Sequence, residues 1–127
     1  MTVKLLLVED YHDFAEIASE QLEKAGYPVT YLATNGNAAL NALDDEKYGG
    51  FDAVITDFEL GTGPDGGDVA KRALDEGTPL VILWSAVNRR LEELPEGTFG
   101  RDGFHLLRKD DIAEVLAALD ELEGHGR

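Results

Sequence analysis

Short apolar runs alternate along the chain with segments in which apolar residues recur at helical spacing. The first run, residues 4–8, is almost continuously apolar and is closed by two acids, which is typical of a strand covered on both faces. Residues 79–84 form the most apolar stretch of the chain and predict a central strand. Further strands are predicted at residues 29–33, 51–56 and 104–107.

Helices are predicted between these strands by apolar periodicity and by capping residues. Gly26 follows the first helix, where a left-handed C-terminal cap is expected, and Asn35 can cap the second. Asp111 and Glu114 open the last helix at capping-box spacing. The predicted helices span residues 13–25, 35–43, 69–77 and 112–122. Residues 87–103 are predicted to be a loop-rich crossover, with a short helical candidate around Arg90, Leu91 and Leu94.

Five strands that alternate with five helices require crossover connections, which join parallel strands. The predicted fold is therefore α/β, a doubly wound five-stranded parallel sheet with helices on both faces. The chain has 127 residues, of which 43% are hydrophobic, and this is the size of one domain. We expect a single domain over residues 1–127, with its core at about 3–122 and a short C-terminal tail.

Charge and composition exclude several classes of function. Eleven Lys and Arg residues against 26 Asp and Glu residues give a net charge of −15, which repels a phosphate backbone or an anionic membrane surface. The chain has no Cys, so a disulfide, a thiolate metal site and a Cys nucleophile are excluded. It shows neither an 18-residue apolar run nor a basic-then-apolar start. We expect a cytoplasmic protein without direct nucleic-acid or membrane binding.

Polar residues that follow the predicted strands are the candidates for chemistry, because sites on such sheets lie at the carboxyl ends of the strands. Those ends carry Glu9 and Asp10, then Asp57, Ser85 and Lys109. Three carboxylates at one rim would repel one another unless a cation neutralised them. Oxygen ligands without His or Cys suit a hard ion, so Mg²⁺ is the predicted cofactor.

Carboxylates, Mg²⁺, an ammonium and a hydroxyl are together the groups that an in-line phosphoryl transfer onto a carboxylate requires. Asp57 is the predicted acceptor because it is central among the strand-end residues. A lone Asp at a strand end is commonly a turn or N-cap residue, but residues 58–61 do not begin a helix, so capping explains Asp57 poorly. The sequence leaves simpler roles open for Ser85 as a helix-start hydroxyl, Lys109 as a surface charge and Glu59 as a solvated loop acid.

Four motifs, taken together, resemble the receiver domain of two-component response regulators. They are Leu7-Val8-Glu9-Asp10, Asp57 with Gly66 in its following loop, Trp84-Ser85-Ala86, and Leu107-Arg108-Lys109. The resemblance extends from the first residue to about Leu122. It implies a flavodoxin-like doubly wound (βα)5 receiver fold, and transfer of a phosphoryl group from a histidine kinase or a histidine phosphotransfer protein onto an aspartate.

The resemblance also implies a metal site and an acceptor. Asp57 matches the phosphoacceptor, which also contributes to Mg²⁺ binding. Asp10 matches the principal Mg²⁺ carboxylate, and Glu9 beside it has a supporting role. The backbone carbonyl of Glu59 matches a further Mg²⁺ ligand.

The switch region departs from the family pattern. Ser85 matches the switch hydroxyl and Lys109 the phosphoryl-binding lysine, with Arg108 as an alternative for that position. Family members usually have Pro after the lysine, in a cis peptide, whereas Asp110 follows here. If Lys109 holds the phosphoryl-binding position, Leu106 replaces the strand-five aromatic that commonly moves with the switch, and Phe104 and His105 are the nearest substitutes. Whether an aromatic switch operates stays open.

The leading interpretation is a free-standing receiver domain that switches a partner-binding face, with no output domain in this chain. Such a domain is not an enzyme beyond its own phosphorylation and dephosphorylation. The alternative is a Mg²⁺-dependent aspartate-nucleophile phosphatase. In that class the nucleophile normally ends the first strand, whereas Asp57 ends the third predicted strand. An FMN carrier would share the topology, but Glu9 and Asp10 would repel its phosphate. The kinase, the downstream partner and a homodimeric state stay open.

Overall fold

The computed structural model of the protein describes residues 2–86, 94–98, 100–109 and 112–125. Within these ranges the strands are β1 (Leu5–Val8), β2 (Tyr31–Ala33), β3 (Ala53–Thr56), β4 (Leu80–Ser85) and β5 (Phe104–Arg108). The α-helices are α1 (His12–Lys24), α2 (Gly36–Asp44), α3 (Gly66–Asp75) and α4 (Ala113–His125), and a 3₁₀ turn spans Glu46–Tyr48. None of these helices is long and apolar enough to cross a membrane.

All five strands are parallel and lie in the order β2-β1-β3-β4-β5. Leu7 in β1 pairs with Leu32 of β2 on one side and with Ile55 of β3 on the other. The strand order reverses at β1, so the carboxyl ends of β1 and β3 flank the crevice where such sheets bind ligands. The prediction of a doubly wound parallel sheet is confirmed.

The alternation of side chains along the central strands gives the sheet two apolar faces. Leu6 and Val54 belong to the core cluster that includes residues of α2 and α3. Leu5 and Ile55 belong to the cluster that includes residues of α1 and α4. Every residue of β1, β3 and β4 is buried. The nearly continuous apolar runs are thus explained by helices that cover both faces.

Several element boundaries differ from the prediction, and hydrogen bonds explain the starts of β2 and α3. β2 begins at Tyr31 instead of residue 29, and Thr30 bonds to the β1 backbone through its N–H and through its Oγ1. α3 begins at Gly66, three residues before its first predicted position. The reason is a local cap, in which the Asp65 N–H donates to Asp68 Oδ2 at 3.1 Å.

The predicted cap of α2 is confirmed, because Asn35 Oδ1 accepts a hydrogen bond from the Ala38 N–H at 2.7 Å. The helical candidate around Arg90 and Leu91 lies outside the described residues. Asp111, the first residue of the predicted capping box of the last helix, also lies outside them.

Gly66 allows α3 to begin directly against the loop that leaves β3. Its N–H donates to the Phe58 carbonyl at 2.8 Å. A Cβ at this position would lie 1.8 Å from the Asp57 carbonyl oxygen, far inside van der Waals contact. The missing side chain therefore permits the first turn of α3 to pack on the backbone of Asp57 and Phe58.

We expect Gly66→Ala to lower the free energy of unfolding by about 1–3 kcal/mol or more, because the backbone must shift to admit the methyl group. Gly124→Ala in α4 is the matched control, since nothing lies within 4 Å of the position that its Cβ would take. Helix propensity predicts a gain of up to about 1 kcal/mol for this control. Urea unfolding of both variants measures the difference, and equal effects would contradict the packing role of Gly66.

Candidate functional site

A cleft of about 500 Å³ opens at the carboxyl edge of the sheet. Its walls come from residues that follow β1, β3, β4 and β5, together with the first turn of α1. The predicted site residues that line it are Glu9, Asp10, Asp57, Glu59, Ser85 and Lys109. The structure therefore brings these residues together, while their chemical roles stay predictions.

The ammonium of Lys109 contacts two carboxylates in this cleft. Nζ lies 2.6 Å from Glu9 Oε2 and 3.3 Å from Asp57 Oδ1. The side chains of Lys109 and Glu9 are 11% and 4% exposed, so water and salt screen their attraction only weakly. The positive charge of Lys109 therefore offsets part of the negative charge of Glu9 and part of that of Asp57.

The pairing of β4 with β5 explains why Lys109, and not Arg108, reaches the cleft. Arg108 is in register with Ser85, and the Lys109 N–H donates to the Ser85 carbonyl at 2.8 Å. The Arg108 side chain is exposed and does not line the cleft. This geometry favours Lys109 over Arg108 as the candidate phosphoryl-binding residue. The peptide that joins Lys109 to Asp110 lies outside the described part of the chain.

Glu9, Asp10 and Asp57 form an acidic cluster in which one carboxylate oxygen from each lies within 4.8 Å of the others. Burial raises the pKa of the Glu9 carboxyl above its ordinary value of 4.5, and that of Asp57 above 3.8, although the Lys109 ammonium opposes both changes. Repulsion adds to the effect, since Asp57 raises the pKa of Glu9 and Asp10 raises that of Asp57. This all-oxygen donor set fits a hard divalent cation such as Mg²⁺.

Backbone groups orient the two buried carboxylates of the cleft. The Phe58 N–H donates to Asp57 Oδ1 at 2.8 Å, and the Tyr11 N–H donates to Glu9 Oε1 at 3.3 Å. The Asp57 N–H itself donates to the Val8 carbonyl at 2.9 Å, which extends the β1–β3 pairing to the acceptor position. Both acids are therefore held in position by their own strand ends.

Two aromatic residues near Lys109 were missed as part of the site. The Phe14 ring centroid lies 4.3 Å from Lys109 Nζ, and Phe14 lines the cleft. The ring of Trp84, which lies in the predicted central strand, is 5.2 Å from the Phe14 ring. The helix predicted over residues 13–25 contains Phe14, but its apolar pattern did not indicate a role in the cleft. Phe14 lies four residues after Asp10, in the first turn of α1, and this position was the signal that its ring is close to the strand ends.

Leu106 is the residue at the expected aromatic position if Lys109 is the phosphoryl-binding lysine. It packs against a small apolar cluster formed by Phe58, Leu83 and Leu94, which Phe104 also contacts. The side chain at this position is therefore aliphatic and only partly buried.

Comparison with known proteins places the chain in a family. The profile of the response regulator receiver domain matches residues 5–120, and the chain belongs to that family. It is 27% identical over 119 residues to the response regulator receiver protein CpdR of Brucella abortus, across 94% of this chain and 95% of that protein. It is 28% identical over 122 residues to the chemotaxis protein CheY-3 of Vibrio cholerae, across 94% of this chain and 91% of that protein.

The fold comparison agrees with this assignment. The structure of the CheY-like response regulator receiver domain from Methylobacillus flagellatus matches with a TM-score of 0.73 and 26% sequence identity. The match covers 96% of this chain and 99% of that one. The predicted receiver fold is confirmed, and the chain is a receiver domain of two-component signalling.

We expect Asp57→Asn to stabilise the metal-free protein at neutral pH, because it removes a buried charge and keeps an oxygen for the Phe58 N–H. Since folding raises the pKa of Asp57, its ionisation favours the unfolded chain. The advantage of Asn should therefore be greatest at neutral pH and should vanish as the pH falls below the ordinary value of 3.8. Urea unfolding across this pH range measures it.

Asp75→Asn is a control for which the opposite change in the free energy of unfolding is expected. Lys71 at 2.7 Å and Arg101 at 2.5 Å lower the pKa of this exposed carboxyl. Its ionised form therefore contributes stability at neutral pH, and this contribution is lost as the pH falls through the lowered pKa. Asp75→Asn should destabilise the protein at neutral pH, and the same sign for both variants would contradict the assigned electrostatics.

Proposed function

We propose that this receiver domain takes a phosphoryl group onto Asp57 from a phosphohistidine of a histidine kinase or a histidine phosphotransfer protein. In this step a bond forms between an Asp57 carboxylate oxygen and phosphorus, the phosphorus–nitrogen bond breaks, and the imidazole leaves. Family membership supplies the signalling class. The choice of Asp57 is supported by the geometry of the cleft.

The observation that carries the proposal is the largely buried ammonium of Lys109, whose side chain is 11% exposed and whose Nζ lies 3.3 Å from Asp57 Oδ1. Phosphorylation changes the charge of the acceptor from about −1 to about −2 and adds acceptor oxygens. A positive charge already fixed beside the reacting oxygen stabilises that developing charge without reorganisation. In the unphosphorylated protein, Glu9 binds the same ammonium at 2.6 Å and keeps it in the cleft.

The acidic cluster supports a Mg²⁺ site formed by Asp10, Asp57 and the backbone carbonyl of Glu59, with Glu9 in a supporting role. Bound Mg²⁺ would supply positive charge to the phosphoryl oxygens. Three carboxylates, those of Glu9, Asp10 and Asp57, face one ammonium in the cleft, so the cleft carries more negative charge than Lys109 balances. Burial, and secondarily the repulsion between these acids, raises the pKa values of Glu9 and Asp57.

Ser85 is the candidate residue that couples phosphorylation of Asp57 to a conformational change in β5. It is 4% exposed and lines the cleft, and its carbonyl accepts the Lys109 N–H. A hydrogen bond from the Ser85 hydroxyl to the phosphoryl group would act on the β4–β5 pairing, so we assign β5 to the partner-binding face. With Leu106 at the aromatic position, this switch operates without the movement of an aromatic ring there.

The position of Asp57 after β3 supports a signalling domain over an aspartate-nucleophile phosphatase, whose nucleophile normally follows the first strand. Catalysis by this chain is then limited to its own phosphorylation and dephosphorylation. The same signalling role supports a cytoplasmic location and a downstream protein partner.

Incubation with phosphoramidate and Mg²⁺ should add one phosphoryl group, measured by intact mass. Asp57→Asn should abolish the addition because the carboxylate nucleophile is gone, and EDTA should strongly reduce it. Asp52→Asn is the matched control, since Asp52 immediately precedes β3 at the opposite edge of the sheet, and it should be labelled like the parent. Equal labelling of Asp57→Asn, or no effect of EDTA, would refute the proposal. Rapid phosphate release without accumulation of the acyl phosphate would indicate a phosphatase.

Mg²⁺ should raise the melting temperature of the parent protein, because it relieves repulsion among Glu9, Asp10 and Asp57. Asp10→Asn should remove most of this shift and stabilise the metal-free protein by less than about 1 kcal/mol, since Asp10 is exposed. Asp13→Asn, at an exposed acid in the first turn of α1, should leave the shift intact. Thermal melts with and without Mg²⁺ test this, and an unchanged shift in Asp10→Asn would exclude Asp10 from the metal site.

A further inference from the structure

The ammonium of Lys109 has an aromatic neighbour in addition to its carboxylates. The Phe14 ring centroid lies 4.3 Å from Nζ, within the range of a cation–π interaction. Because the Lys109 side chain is only 11% exposed, this attraction is stronger than the same contact at a wet surface. Phe14 therefore contributes to the position of the ammonium.

Trp84 connects this contact to the backbone of Lys109. Its ring packs on Phe14 with centroids 5.2 Å apart and planes at 59°. Its indole N–H donates to the Arg108 carbonyl at 3.0 Å. The nitrogen of that same peptide unit is the Lys109 N–H, which donates to the Ser85 carbonyl at 2.8 Å. Hydrogen bonds at both ends thus fix the peptide plane from which the lysine side chain departs.

We propose that Phe14 and Trp84 are positioning residues that hold the Lys109 ammonium at the acidic cluster, so that its charge is in place when the phosphoryl group arrives. The proposal rests on the proposed function and adds two uncharged residues to it. Phe14 acts on the side-chain end of the lysine, and Trp84 acts on its backbone end.

An aromatic ring suits this position for an electrostatic reason. The cleft already contains the carboxylates of Glu9, Asp10 and Asp57, so a fourth acid would add to their repulsion. The ring face of Phe14 attracts a cation through its quadrupole and carries no net charge. The ammonium can therefore turn from Glu9 to a phosphoryl oxygen and stay against the ring.

The kinetic test is a double-mutant cycle between Phe14 and Lys109. Phe14→Leu keeps apolar bulk but removes the ring face, and should slow phosphorylation by phosphoramidate roughly threefold to thirtyfold. The same substitution should change nothing further in a Lys109→Met background, and Phe14→Tyr should restore most of the parent rate. Phe51→Leu is the matched control, because this buried Phe lies before β3 at the far edge of the sheet and should leave the rate unchanged.

A second readout needs neither metal nor phosphoryl group. In the metal-free protein, the NMR signal of the Lys109 ε-methylene should be shifted upfield by the ring current of Phe14. Phe14→Leu should remove this shift, and Phe14→Tyr should keep it. Trp84→Phe, which keeps a ring but loses the indole donor to Arg108, should reduce it.

Equal slowing by Phe14→Leu in the parent and Lys109→Met backgrounds would overturn the proposal, since Phe14 would then act through packing alone. An unshifted Lys109 ε-methylene signal in the parent would also overturn it. If the parent takes no phosphoryl group while the Lys109 signal responds to Phe14 as expected, the proposed function fails and aromatic positioning of the lysine stands.

Discussion

The contact of one ammonium with the buried carboxylate of Glu9 and the partly buried carboxylate of Asp57 is the constraint on which the rest of the site depends. Among the described residues that line the cleft, Lys109 is the single cation, and it lies against both Glu9 and Asp57. Removing the ammonium would leave the buried carboxylate of Glu9 without its cation, which is destabilising. Asp10 adds a third carboxylate and contributes to the raised pKa of Asp57, so the cleft has an excess of negative charge that fits a divalent cation.

The fold supplies this contact through strand register more than through any single motif. The Asp57 N–H bonds to the end of β1, and the Lys109 N–H bonds to Ser85 at the end of β4, so the carboxyl ends of β1 and β3, and those of β4 and β5, lie side by side. Gly66 then allows α3 to pack directly on the Asp57 backbone. Parallel pairing thus converts residues that are distant in sequence into neighbours at one edge.

The strands and the polar residues of the cleft could be predicted from sequence because apolar periodicity locates the strands, and parallel topology brings their carboxyl ends together. The sequence alone could not decide whether Lys109 or Arg108 reaches the cleft, because this depends on the β4–β5 hydrogen bonds and not on a local sequence pattern. Phe14 was missed for a similar reason, because periodicity identifies the buried side of α1 but not the cation that it meets. The early start of α3 depends on a polar cap at Asp65, which an apolar pattern does not reveal.

The most direct test of this account is the pKa of the Asp57 carboxyl, measured by ¹³C NMR titration of the metal-free parent and of Lys109→Met. If burial outweighs the ammonium, the parent value lies above 3.8, and loss of Lys109 raises it further. A parent value at or below 3.8, or a value that does not rise in Lys109→Met, would contradict the claim that this one ammonium holds a buried acid pair at the centre of the site.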